Sequence, residues 1–289
     1  MKIGIVGLGR MGAGISDRLR AAGHETAGYD RDPNVSQVAS LRELVQPLSA
    51  PRVVWVMVPA GDPTETTIAE LLGLLSEGDI VIDGGNSYYR DSVRRAHELS
   101  LRGVRFLDIG TSGGIWGLKN GFCLMAGGPP DAFEAVEPLL QALAAEGGYA
   151  HVGPSGAGHY VKMIHNGIEY GLLQAYAEGF DLLAASGFDI DPKQVATLWN
   201  NGSVVRSWLL ELAELAFEKD PKLEALRAYV DDSGEGRWTV MEAIERGVPA
   251  GVITESLYRR FSSRDENAFA MRFIAALRNE FGGHAVQKA

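Results

Sequence analysis

The chain has 289 residues, 46% hydrophobic and 22% charged, a length and mix that build one or two globular domains and exclude collagen-like, coiled-coil and disordered readings. Asp and Glu number 37 against 27 Lys and Arg, so the net charge of −10 offers no general attraction to nucleic acid or to an anionic membrane surface. The single Cys123 supplies neither an internal disulfide nor a zinc cluster, the longest apolar run is far short of a membrane span, and a strand pattern starts directly after Met1; a cytoplasmic protein with no nucleic-acid and no membrane partner is expected.

Through the first half, short β-branched runs alternate with amphipathic stretches of helical length, the pattern of βαβ units and a parallel sheet. Strands are expected at 3–6, 25–29, 53–58, 80–83, 104–108, 122–126 and 150–152, with helices at 11–22, 64–76, 91–101 and 131–145. After Pro154 the texture changes: Gly156-Ala157-Gly158 leads into a long proline-free stretch, and 207–217, 239–246, 251–262 and 268–281 read as helices. The expected architecture is an α/β N-terminal Rossmann-type doubly wound sheet over residues 1–154, followed by an all-α domain over 155–289 for substrate binding and oligomerisation. From Ser256 to the end six basic side chains stand against three acidic ones, a local cationic patch that suggests an anionic ligand.

Gly7-Leu8-Gly9-Arg10-Met11-Gly12 follows the first strand and opens the first helix. The first glycine permits the tight turn, the second lets backbone approach a diphosphate, and the third allows close helix packing, with the anion held on helix N–H groups. Asp30 ends the next strand, where a carboxylate accepts from an adenosine ribose hydroxyl and repels a 2′-phosphate. NAD is thereby favoured. NADP stays open because Arg31, beside it, is either a solvated loop charge or a fork for that phosphate. Val58-Pro59-Ala60, where the third strand ends, is assigned to the cofactor as well.

The helix after Pro154 carries Lys162, His165, Asn166, Glu169 and Tyr170 at offsets of 0, 3, 4, 7 and 8, all on one stripe. Filling a normally buried stripe with such groups is costly unless it lines a cleft. In Asp83-Gly84-Gly85-Asn86-Ser87 and in Thr111-Ser112-Gly113-Gly114, strand ends run into glycine turns that present an amide, a hydroxyl and bare N–H groups. Arg237, Arg260 and Arg278 add planar forks suited to phosphate. Read singly, each turn is only a turn and each arginine only a surface charge; their convergence in one chain carries the reading.

These residues, together with Gly-Ala-Gly-His-Tyr-Val-Lys-Met-Ile-His-Asn-Gly-Ile-Glu-Tyr-Gly at 156–171 and Arg-Asn-Glu-Phe-Gly-Gly-His at 278–284, give a sequence that resembles the 6-phosphogluconate dehydrogenases, the decarboxylating enzymes of the pentose phosphate pathway within the β-hydroxyacid dehydrogenase superfamily. The resemblance implies that Lys162 is the acid/base at the C3 hydroxyl and that Glu169 protonates the enediol left by loss of carbon dioxide. It implies that Asn86, Ser112, Gly113, Gly114, His165 and Asn166 contact the sugar acid, with Asn86 also near the cofactor, and that Tyr170, Arg237 and Arg260 hold the phosphate. Arg278 and His284 match a tail that reaches into the neighbouring subunit's site, which implies a homodimer or homotetramer. Two departures stand out: Arg237 lies in Gly-Glu-Gly-Arg-Trp where longer members carry lysine, and the chain resembles the short subgroup that lacks a second set of helices. Asp30 stands where NADP users have a neutral residue.

Oxidising a hydroxyl β to a carboxylate gives a β-keto acid, whose decarboxylation is easy because the departing electron pair flows into the ketone. Lys162 serves as neutral amine and then as ammonium, provided burial and neighbouring cations bring its pKa from the ordinary lysine range toward neutrality. No metal is expected, since a divalent ion wants several carboxylates at one site and the stripe offers one. Two rivals remain: a dehydrogenase of another β-hydroxy acid such as 3-hydroxyisobutyrate, or an imine reductase, using the same lysine; and a non-catalytic NAD-binding sensor.

Overall fold

The structure, a computed structural model, describes residues 1–265 and 268–282. The first part runs β1 (Lys2–Val6), α1 (Arg10–Ala21), β2 (Glu25–Tyr29), α2 (Leu41–Val45), β3 (Val53–Val56), α3 (Asp62–Leu72), β4 (Ile80–Asp83), α4 (Tyr89–Ser100), β5 (Arg105–Ser112), α5 (Gly117–Asn120), β6 (Phe122–Gly127), α6 (Pro130–Leu143) and β7 (Ala144–Gly153). The second consists of α7 (Ala157–Ala185), α8 (Pro192–Asn200), α9 (Trp208–Lys219), α10 (Glu235–Arg246), α11 (Gly251–Ser263) and α12 (Phe269–Gly282). The chain divides into two compact units, Met1–His165 and Asn166–Ala289, the division falling within α7.

Among the described residues, seven strands make one sheet in the order β2-β1-β3-β4-β5-β6-β7. Strands β3 and β4 are buried at every position because helices cover both faces, which is why their sequences run apolar without alternation. Successive side chains nonetheless go to opposite faces. Ile3, Ile5, Val53, Trp55, Ile80 and Ile82 pack with Ile15 and Leu19 of α1 and Val136, Leu139 and Leu140 of α6. Val6, Val54, Val56, Val81 and Phe106 pack with Leu41 and Leu44 of α2, Ile68 and Leu71 of α3 and Leu99 of α4. Each such side chain contributes about 1.5–3 kcal/mol on full burial. This is the expected doubly wound arrangement, and its strand order reverses between β1 and β3, the place where such sheets open a crevice at their C-terminal ends.

The sheet departs from the all-parallel expectation at one place. Strands β5 and β6 pair antiparallel, Asp108 opposite Gly127 and Ser112 opposite Cys123. The link from Gly113 to Gly121 is too short for a crossover, so the chain reverses, and the pairing carries β5 on to Ser112, past the expected end at 108. Strand β7 begins at Ala144 rather than 150: its start is poor in β-branched residues and rich in glycine, so the ladder with β6, not propensity, makes it a strand. Helix α2 was not expected; Ser40 caps it by accepting from Glu43 N, and the Glu43 carboxylate accepts in turn from Ala39 N.

In the second unit Ser207 caps α9 and Asp191 caps α8, with Pro192 in the first turn of α8 where its missing N–H does no harm. Tyr170, Val240 and Leu257 form a small buried cluster with Ile253 and Phe261 alongside. Among the described residues, no helix is long and apolar enough to cross a membrane.

Candidate active site

At the switch point of the sheet lies a cavity of about 650 Å3. Gly7 turns the chain with φ +90°, and any side chain there would overlap the Met57 carbonyl; one on Gly12 would overlap the Gly7 carbonyl. Gly9 has open space before it, so the first turn of α1 presents bare backbone to the cavity. This cradle accepts a diphosphate on its N–H groups, and it fits a dinucleotide.

Of the expected cofactor residues, Gly7, Gly9, Arg10, Met11, Gly12, Asp30, Arg31, Val58, Pro59, Ala60 and Asn86 line the cavity. Leu8 does not: its backbone N–H donates to Asp30 Oδ2 at 2.6 Å, and its side chain covers Gly28, where a methyl would crowd it at 2.8 Å. Asp30 therefore braces the glycine turn with one oxygen, and its other accepts from Asp32 N at 2.9 Å. Sequence reasoning gave Asp30 a ligand but not this second task. It also missed Tyr29, Met57, Pro63 and Thr67 on the cavity wall. The first two could have been found as neighbours of Asp30 and Val58 at strand ends.

Lys162 lines the same cavity, together with Gly84, Gly85, Asn86 and Thr111. Asn86 stands on a loop that Asp83 constructs: its Oδ1 accepts from Gly85 N at 3.1 Å, and its Oδ2 accepts from Ser87 Oγ at 2.7 Å. Arg95, fully buried, donates to Asp83 at 3.3 Å and to Glu65 at 2.9 Å. Glu65 is held down to about 2, first by Arg94 and then, against its own burial, by Arg95. Ser112 Oγ lies 3.3 Å from His165 Nε2, and Gly113 and Gly114, with φ +119° and +51°, turn the chain sharply just beyond Ser112. Asn86, Ser112 and His165 thus stand on three separate elements of the first unit.

Further along α7, in the second unit, Asn166 Nδ2 donates to Glu235 Oε1 at 2.8 Å, and Glu169 is half-buried. Tyr170 is buried, with the Arg260 guanidinium stacked 3.4 Å from its ring centroid; a side chain on Gly236 would overlap that ring. Arg260 also donates to the Asp231 carbonyl at 3.1 Å. Arg237 is ion-paired, its Nε 2.6 Å from Asp232, and lies 4.5 Å over Phe261. Asp232 is pulled below the usual carboxylate range first by Arg237 and then by Arg264, whose Nη2 is 2.9 Å away. Three guanidinium groups thus stand on one acidic and aromatic support. Arg264 was missed, although it follows Arg260 by one helical turn. Arg278 is exposed on α12 and takes no part in these bonds, and His284 lies outside the described residues.

A doubly wound sheet with a glycine turn and an acidic strand end at its switch point, and a lysine in the same cavity, defines a dinucleotide-dependent oxidoreductase. The family profile described as the NAD binding domain of 6-phosphogluconate dehydrogenase matches residues 2–153, and that of the 6-phosphogluconate dehydrogenase C-terminal domain matches residues 158–280. The chain is 45% identical over 299 residues to the NAD(+)-dependent, decarboxylating 6-phosphogluconate dehydrogenase of Haloferax volcanii, covering all of this chain and 99% of that one. It is 37% identical over 301 residues to the NAD(+)-dependent, decarboxylating enzyme of Bacillus subtilis, covering 95% of this chain and 64% of that longer protein. Among solved structures, a 6-phosphogluconate dehydrogenase from Plasmodium falciparum superposes with a TM-score of 0.83 at 28% identity, over 100% of this chain and 66% of that one. The chain belongs to the 6-phosphogluconate dehydrogenase family.

Proposed function

We propose that the chain oxidises and decarboxylates 6-phospho-D-gluconate to D-ribulose 5-phosphate and carbon dioxide while reducing NAD, with NADP as a second acceptor, in the pentose phosphate pathway. The observation that carries the reading is Lys162 on the wall of the glycine-turn cavity, next to Asn86 and Thr111. When bound, the dinucleotide supplies the hydride acceptor. Lys162 takes the proton of the C3 hydroxyl, and as ammonium it then holds the oxygen of the ketone through decarboxylation. Glu169, two turns further along α7, returns a proton to the enediol carbon. Asn86, Ser112, Gly113, Gly114, His165 and Asn166 orient the sugar acid, and Asn166 is itself oriented by Glu235.

Tyr170, Arg237 and Arg260 receive the phosphate. The support for this is the arginine cluster over Tyr170 and Phe261, charge that an unphosphorylated substrate leaves unused. Similarity along the whole chain to the Haloferax volcanii enzyme favours this reading over a 3-hydroxyisobutyrate-type dehydrogenase, an imine reductase or a silent NAD sensor. Asp30, bonded to the glycine turn and facing the cavity, supports NAD over NADP, with Arg31 beside it as the feature that admits NADP. Residues 155–289 form the substrate-binding and oligomerisation domain of a cytoplasmic homodimer or homotetramer, in which Arg278 and His284 complete a neighbour's site.

The test follows reduced-dinucleotide absorbance and carbon dioxide release with 6-phosphogluconate, gluconate and 3-hydroxyisobutyrate, each with NAD and with NADP. Turnover with release of carbon dioxide is expected only with 6-phosphogluconate, faster with NAD. Equal turnover with 3-hydroxyisobutyrate sinks the reading. A chelator is expected to leave the rate unchanged; loss restored by magnesium or manganese contradicts the metal-free mechanism.

A further inference from the structure

Asp108 is wholly buried in β5. Its Oδ1 accepts from Gly156 N at 2.7 Å and its Oδ2 from His159 N at 2.9 Å. Burial pushes its carboxyl above the usual range, while His159 and these two N–H donors pull it back. A carboxylate in such a place is a poor source of stability, because apolar residues fill buried positions at least as well. Its partners suggest another task. Both are at the start of α7, where N–H groups lack helical acceptors, and His159 precedes Lys162 by one turn of the helix.

The seat around them is cleared by glycines. A side chain on Gly158 would overlap the Asp108 carbonyl, and one on Gly127 would meet Gly158 N at 2.6 Å and Asp108 Oδ1 at 2.8 Å. A side chain on Gly110, two residues along β5, would overlap Cβ of Lys162 itself. On the far side His159, also buried, is braced by Nδ1 against Ser92 Oγ of α4 at 2.7 Å. A helix turns about 100° per residue, so a small change of rotation or depth here carries the lysine amine away from its cavity.

We propose that Asp108 is a positioning residue for the reaction: by holding the N–H groups of Gly156 and His159 it fixes the rotation and depth of α7 on β5 and so aims Lys162 into the dinucleotide cavity. The proposal rests on the reading of Lys162 as the acid/base, and it assigns Gly110 as the clearance that lets the lysine lie so close. It separates aim from cradle, because the glycine turn links β1 to α1, whereas Asp108 lies on β5 and Gly156 directly before α7.

The experiment uses the full chain with Asp108→Asn, Asp108→Ala and Gly110→Ala, measuring kcat and KM with 6-phosphogluconate and NAD, NADH affinity by fluorescence, and folding by circular dichroism. Asparagine keeps one of the two acceptor oxygens, so kcat should fall about 10-fold for Asp108→Asn and about 100-fold for Asp108→Ala, with KM for NAD and NADH affinity within about 2-fold of the parent. Gly110→Ala, which removes no polar group, should lower kcat in the same way. A folded Asp108→Ala with parental kcat overturns the proposal, as does NADH affinity falling in step with kcat. If the Asp108 variants do not fold, Gly110→Ala decides on the same two readouts. An active Lys162→Ala overturns the acid/base reading and the proposal with it, whereas an inactive Lys162→Ala beside an unaffected Asp108→Ala overturns the proposal alone.

Discussion

Around the glycine turn the candidate site is made by leaving side chains out. Gly7, Gly9 and Gly12 give room and bare N–H groups, and Asp30 holds the turn through the backbone of Leu8. Around Tyr170 the opposite holds: three arginines are stacked on Tyr170 and Phe261, and Asp232 pairs with Arg237 and Arg264. A site built from backbone tolerates almost no added atom but needs little charge; a site built from charged side chains tolerates volume changes and depends on the balance of charge.

The lysine tests the comparison hardest, since it alters neither material. Lys162→Ala should lower kcat by about 10³-fold or more while NADH still binds, read by single-turnover absorbance and by fluorescence. Next, Gly12→Ala forces a methyl into the Gly7 carbonyl; NADH affinity should fall by about 10²-fold or more with loss of stability, whereas Gly9→Ala, facing open space, should cost far less in stability. If both glycine variants bind NADH as the parent does, the contrast collapses. Arg260→Ala should raise KM for 6-phosphogluconate about 10- to 100-fold and leave NADH affinity unaltered. The smallest effect is expected from Glu65→Gln. Because Glu65 is held at about 2 when folded, it stabilises the chain above its ordinary value near 4.5, and that contribution disappears as pH falls toward 2. Its side chain is 40% exposed, so solvent screening limits the loss at neutral pH to about 1 kcal/mol or less, and urea unfolding at pH 7 and pH 3 should show a deficit for the variant that is smaller at the lower pH.

What was legible in the sequence follows the same division. Glycine spacing and unbroken apolar runs report directly on backbone, so the sheet, the turn at 7–12 and the cavity residues from Val58 to Ala60 could be read in advance. The reversal at β6 could not, because nothing local distinguishes a parallel from an antiparallel partner until the length of the link is weighed. The periodic stripe on α7 singled out Lys162, His165, Asn166, Glu169 and Tyr170 as candidates, but not the groups that bond to such side chains. Glu235 beneath Asn166 and Asp232 beneath Arg237 come from a loop and a helix start far along the chain, and only the fold brings them together.

The reversal at β6 also has a practical use. It sets Cys123, the sole thiol of the chain and exposed, directly across the ladder from Ser112, so the two side chains emerge on the same face of the sheet. A fluorophore attached there by maleimide chemistry sits one strand from the hydroxyl that faces His165, and its emission should shift on ligand arrival, a readout that needs no engineered cysteine and no turnover.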